Sequence, residues 1–280
     1  MDKSPPKDKV IGIIGGRCAM ARFIRSLFKE QGYEFVRAEN DSEEEFKKVC
    51  ESSKRIFMCF PLNQLEEQLK KLNKYLTDSH FVVDICALES NTVKILKKFL
   101  DKGEILIIHP IFEPFEEGFR NVTVAYWPVR GKRVEKWFVE SLEAGSVRVL
   151  PVSPKKHDRI MGIVQVIPQF WLLLLGNVIK NSGLNLEDIV LLSTPSFLFQ
   201  LRTLVSFAKE HSQFYERTQM FNPWAPFLRK TFCENCKRII KDLEKHDASS
   251  LFEKYFEVVR ELAVEVEEIF SKYGINPLEE

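Results

Sequence analysis

Residues 10–28, VIGIIGGRCAMARFIRSLF, constrain the fold more than any other stretch of the chain. A short apolar run ends in two glycines, and apolar residues then recur at helical spacing, which predicts a strand, a tight turn and a helix. Where such a turn cradles a pyrophosphate, one Gly makes the bend, a second lets backbone approach the phosphates, and a third small residue packs helix on strand. That pattern falls on Gly16-Arg17-Cys18-Ala19-Met20-Ala21. Gly16 satisfies the first position and Ala21 is a tolerated third, while Cys18 occupies the second, where a side chain crowds the phosphates. Gly15 adds backbone freedom just ahead of the turn, and Met20 lies at the turn's helical end. Glu39 ends the second β-rich run, where an acidic residue binds the ribose of NAD. Arg37 and Arg17 keep NADP open as the cofactor.

Downstream, β-rich runs at 34–37, 55–59, 81–86, 105–109, 122–127 and 146–150 follow the first strand at 10–14. Helical patterns at 20–31, 43–52, 62–76 and 91–102 separate the early ones. This alternation predicts a mostly parallel sheet between two helix layers, an α/β domain of Rossmann type. Continuous apolar runs such as ILII suit strands buried on both faces. After Leu150 the strand signal stops. Ser153-Pro154 predicts a helix opening, with Ser as N-cap and Pro at the first helical position. Helical periodicity then fills 154–181, 186–192, 196–211, 226–244 and 248–273. The expected division is a frayed lead-in at 1–9, a dinucleotide-binding domain at 10–152, and an all-helical domain at 153–280. The helices of the second part are apolar nearly all round, which calls for burial, most economically in a homodimer interface.

The most apolar run, IVQVIPQFWLLLLGNVI at 163–179, contains two Gln, a Pro and an Asn. A membrane span needs about 20 mostly apolar residues, so a buried core helix and no membrane partner are expected. A net charge of +1 gives no electrostatic case for nucleic acid. Six scattered cysteines without disulfide-framework spacing, and no signal-peptide pattern, point to a reducing cytoplasm. Cys233 and Cys236 stand in a helical pattern with no second ligand pair, so no metal site is expected.

Four further segments carry a family resemblance: VVDICALES (82–90), IIHPIFEPF (107–115), KKHDRIMGIVQVIPQF (156–170) and QMFNP (219–223). With them the chain resembles the prephenate dehydrogenases, including the compact archaeal ones. The resemblance implies a Rossmann domain followed by a helical dimerisation domain. It also implies NAD- or NADP-dependent oxidative decarboxylation of prephenate, or of arogenate, in tyrosine biosynthesis. Several positions depart from the family's pattern. Its catalytic His lies twelve residues after the His of HDR, where this chain has Gln169. Its Ser after the fourth strand is Ala87, with Glu89 where Lys is usual, and the Gly expected soon after His109-Pro110 is Glu113. Gln can hydrogen-bond but takes up no proton at neutral pH.

A site of this chemistry needs a general base for a ring hydroxyl, suited to His, and a cation for a carboxylate, best met by Arg. His109, at the end of the fifth strand, is the base that remains, and Gln169 is its hydrogen-bonding companion. Gln165 shares a helix face with Gln169 by i,i+4 spacing. Arg217 stands near the place from which the family supplies a carboxylate-binding Arg, with Arg202 behind it. His157 and Asp158 read as capping and packing residues in the first turn of their helix. Three functions stay open: a dehydrogenase for a prephenate-like small molecule, a dehydrogenase with another small acid as substrate, and a non-catalytic paralogue that keeps a ligand cleft.

Overall fold

A computed structural model describes residues 7–15, 19–38, 42–60, 62–85, 89–111, 122–145, 147–209 and 212–275. The first β-rich run forms β1 (Val10–Ile14), and helix α1 (Ala19–Lys29) follows. Next come β2 (Glu34–Arg37), α2 (Glu43–Ser52), β3 (Arg55–Met58), α3 (Leu62–Asn73), β4 (Phe81–Ile85) and α4 (Glu89–Phe99). The α/β part closes with β5 (Glu104–Ile111), β6 (Thr123–Arg130), α5 (Arg133–Ala144) and β7 (Arg148–Pro151). The seven strands lie in the order β2-β1-β3-β4-β5-β6-β7, every pair parallel except β5 with β6. The mostly parallel sheet expected from the alternation is therefore present.

Alternating strand residues supply two cores, one on each face. On one face Ile11, Ile13, Phe57, Val83, Leu106 and Ile108 meet Phe23, Leu27 and Phe28 of α1 and Val134, Phe138 and Leu142 of α5. On the other, Ile14, Ile56, Met58, Val82, Ile105 and Ile107 meet α2, α3 and α4 through residues such as Phe46, Leu69 and Leu96. Gly12 is fixed by this packing: a Cβ there would stand 2.5 Å from both the Ser53 hydroxyl oxygen and Val49 Cγ1 of α2's end. Glu104, at the head of β5, accepts hydrogen bonds from the backbone N–H groups of Arg133 (2.7 Å) and Val134 (3.0 Å). That link fixes the first turn of α5, a helix absent from the expected list, to the strand that carries His109.

Beyond the sheet run α6 (Pro154–Met161), a π-helical turn (Gly162–Val166), α7 (Ile167–Asn181), α8 (Leu186–Leu191), α9 (Pro195–Lys209) and α10 (Ser212–Phe221). Two long helices, α11 (Ala225–Leu243) and α12 (Ala248–Tyr273), complete the chain. The chain divides into two compact units, residues 1–225 and 226–280. Ser153 caps α6 through backbone geometry, with Pro154 in the first turn, but its side chain makes no capping bond.

The expectation of a buried core helix at 163–179 is corrected. The continuous stretch 154–181 is long and apolar enough to cross a membrane, and only 22% of its most apolar window is buried. Among the residues of α7 only Gln169, Leu172 and Leu175 are buried. Trp171, Leu173, Leu174 and Val178 are exposed, as are Leu198, Phe199 and Val205 of α9. Helices α7 and α9 of the first unit thus carry an exposed apolar face.

Candidate active site

The described site residues fall on four stretches: the end of β1 with the start of α1, β5, the π-helical turn with α7, and α10. Gly15 follows β1 with φ +77°, and a Cβ there would lie 2.6 Å from the Cys59 carbonyl oxygen, so both backbone conformation and space call for Gly. Ala21 is buried in the core between α1 and the sheet, where a third small residue of a glycine turn packs helix on strand. The first turn of α1, which contains Met20, holds no acidic residue, and an anion at that helix end meets no carboxylate from it. Gly16, Cys18, Glu39, Ala87 and Glu113 lie outside the described residues. Cys59 is disulfide-bonded, whereas Cys50, Cys233 and Cys236 are free thiols. Burial pushes the Cys50 thiol up to about 12.

His109 sits within β5, paired with Ala125 of β6, and is buried together with His157 and Asp158 of α6. Its Nδ1 lies 2.8 Å from Nε2 of His157. The two rings meet edge to face, with centroids 5.0 Å apart, and the Trp127 ring of β6 lies 5.5 Å from that of His157. His157 Nδ1 is in turn 3.6 Å from Asp158 Oδ1. Burial, then the neighbouring His157, holds the His109 imidazole down at about 3, so the ring is neutral across the physiological range. His157 and Asp158 were expected as capping and packing residues in the first turn of α6, but that turn holds no acid, and Asp158 is the fifth residue of the helix. The structure buries them as expected of packing residues and also sets His157 against His109.

The π-helical turn links α6 to α7 and interrupts the α-helical ladder, a feature often found at functional sites. It also breaks the continuous α register on which an i,i+4 face for Gln165 and Gln169 depends. Gln165 is half-buried and Gln169 is buried. Gln219 of α10 donates from Nε2 to Gln169 Oε1 (3.2 Å) and to the Val166 carbonyl at the end of the π turn (2.9 Å). Asn222 donates to the Asp158 carbonyl at 2.8 Å and accepts from the Trp224 backbone N–H at 2.8 Å. Arg217 and Arg202 are exposed, on α10 and α9. Gln219 and Asn222 were not singled out as site residues, although both belong to the QMFNP segment. Helical periodicity finds the helix there and is blind to which polar side chains turn inward.

Asp84 was also passed over. It lies one residue before the end of β4, 2% exposed, between Met58 of β3 and Ile107 of β5. Its Oδ2 has no hydrogen-bond partner among the described residues. Burial alone raises its carboxyl to about 7. The signal was a lone acid in an otherwise apolar strand.

The sheet topology, with the positive-φ Gly15 directly after β1, defines a protein of the Rossmann class. Residues 153–257 match the prephenate dehydrogenase dimerization domain. The chain is 23% identical over 271 residues to a probable arogenate/prephenate dehydrogenase of Methanocaldococcus jannaschii, covering 90% of this chain and 60% of the relative. To the T-protein of Enterobacter agglomerans it is 19% identical, covering 89% and 66%. It thus spans a little under two thirds of these relatives' length. Its fold matches that of a prephenate dehydrogenase from Aquifex aeolicus, solved with hydroxyphenyl propionate and NAD+, at a TM-score of 0.70 and 18% identity, over 95% of this chain and 100% of that one. Together these matches show a prephenate dehydrogenase dimerization domain over residues 153–257 and a fold shared with solved prephenate dehydrogenases.

The two perturbed groups make opposite demands on stability. The folded-state value of Asp84 is raised, so its contribution is fully present below about 3.8 and is lost as pH rises toward 7. The folded-state value of His109 is depressed, so its contribution is present above about 6.5 and is lost as pH falls toward 3. The stability of Asp84→Asn relative to the unaltered protein is therefore expected to rise between pH 4 and 7, by up to about 1.4 kcal/mol per pH unit, and to level off above. Urea unfolding across that range measures it. A difference that does not vary with pH would contradict the assignment.

Proposed function

We propose that the chain is an NAD- or NADP-dependent dehydrogenase that oxidatively decarboxylates prephenate or arogenate. The observation that carries this reading is the buried His109, engaged through Nδ1 by His157, in a chain whose residues 153–257 match the prephenate dehydrogenase dimerization domain. A neutral imidazole can accept the proton of the ring 4-hydroxyl through its other nitrogen, Nε2, as hydride leaves the carbon bearing that hydroxyl. Loss of CO2 then restores aromaticity to the ring. Gln169, whose side-chain oxygen is held by Gln219, would orient the hydroxyl, Gln165 and Ala87 would serve in substrate binding, and Arg217 would pair with a carboxylate.

Gly15 and the start of α1 support a dinucleotide site there. Gly15 has the backbone conformation of a tight strand-to-helix turn, and the start of α1 carries no competing acid. Gly15, Gly16, Cys18, Met20 and Ala21 would hold the pyrophosphate and Glu39 the ribose, with Cys18 narrowing the approach. When bound, the nicotinamide accepts the hydride. A domain division at 152/153 follows the same plan, with the glycine turn before it and the matched dimerization segment after it.

The open apolar face of α7 and α9 supports a homodimer formed through the helical part, in a soluble, cytoplasmic enzyme without a membrane or nucleic-acid partner.

Purified protein given prephenate or arogenate with NAD or NADP is expected to produce reduced cofactor, read by absorbance. His109→Asn is expected to lower kcat by about 10²–10⁴-fold. No turnover with any of the four combinations, together with no nucleotide binding by calorimetry, would make the chain a non-catalytic relative. Light scattering is expected to give twice the 32.7 kDa chain mass, falling to one chain for Val178→Asp. A monomer in the unaltered protein would contradict the dimer.

A further inference from the structure

His109 works as a base only if its lone pair is on the nitrogen that faces substrate, and a neutral imidazole has two ways to place its single proton. At 2.8 Å, His109 Nδ1 and His157 Nε2 share one hydrogen, so the tautomers of the two rings are locked together. If His157 carries its proton on Nε2, it donates to His109, and His109 is left protonated on its own Nε2. That ring is a donor and accepts no proton there. If His157 carries its proton on Nδ1, it accepts from His109 Nδ1–H, and His109 Nε2 keeps a lone pair.

Asp158 decides between the two. Its Oδ1 stands 3.6 Å from His157 Nδ1, beyond a good hydrogen bond but close enough for a strong charge effect where both side chains are buried. A proton on His157 Nδ1 faces the carboxylate favourably, whereas a lone pair there would face it with repulsion. Asn222 fixes the backbone at Asp158, and the Trp127 ring packs against His157.

We propose that Asp158 and His157 are positioning residues that hold His109 in its Nδ1–H tautomer and so reserve Nε2 as the proton acceptor. When the hydroxyl proton passes to Nε2, the Asp158 charge stabilises the resulting imidazolium through His157. The identity of that hydroxyl rests on the dehydrogenase reading, whereas the tautomer does not.

The full chain labelled with 15N-histidine tests this, because long-range 1H–15N correlations report which nitrogen of each ring is protonated. Five histidines are present, and His80 is an internal control. Its Nδ1 accepts from the Thr77 backbone N–H at 2.9 Å, which leaves Nε2–H to donate to the Cys50 carbonyl at 3.0 Å. The expected result is Nδ1–H on both His109 and His157. In Asp158→Asn the side-chain amide can donate to His157 Nδ1, so both rings are expected to switch to Nε2–H while His80 does not change. The same variant is expected to lose about 10²–10⁴-fold in kcat, with KM within about threefold. Nε2–H on His109 in the unaltered protein would overturn the proposal whether or not the variant folds, and so would unchanged tautomers in a folded Asp158→Asn. Expected tautomers with no turnover on any substrate would instead sink the dehydrogenase reading and leave the tautomer assignment standing.

Discussion

Burial of one sheet on both faces is the constraint from which the rest of the structure follows. Strands such as Ile105–Ile108 are apolar on both sides, and only helix layers above and below keep water from both. Parallel strands need crossovers, and the crossovers are those helices. The cost falls on polar groups placed late in the strands, which find themselves in the same dry interior. Asp84 and His109 are two such groups, and burial drives each toward its neutral form, the acid up and the base down.

His109 differs from Asp84 in having a partner from outside the sheet. The start of α6 brings His157 to Nδ1, so the histidine is buried yet hydrogen-bonded and oriented. Behind it Asn222, Trp127 and the π-helical turn tie α6, β6 and α10 to the same point. A ring held this firmly loses little freedom on reaction, which is how, in the proposed mechanism, a weakly basic imidazole would serve as a positioned acceptor.

Much of this was legible in the sequence, and the residues show why. The strand bounds of β1 coincide with its apolar run because all five of its residues are buried, which leaves no ambiguity of period. Helix α5 went unlisted although Val134, Phe138 and Leu142 recur at i, i+4 and i+8, because charged residues dilute the stripe between them. The π turn was not readable at all, since an extra residue in a turn leaves no compositional mark. The histidine of β5 stood out by type and place, but its contact with His157 joins residues 48 positions apart. The helix at 163–179 was misjudged for a different reason: apolar composition says that a surface must be covered without saying that the same chain covers it. Gly16, Cys18, Glu39 and Ala87, on which much of the cofactor and substrate expectation rests, lie outside the described residues.

The central claim is that His109 Nε2 meets the hydroxyl of a ring substrate beside a dinucleotide held at the β1–α1 turn. A crystal structure of the chain with NAD or NADP and a 4-hydroxyphenyl carboxylate tests it directly. The account predicts the phenolic oxygen within about 2.6–3.2 Å of His109 Nε2, with the pyrophosphate at the start of α1. A ring bound with its hydroxyl away from His109, or a dinucleotide bound elsewhere, would contradict it.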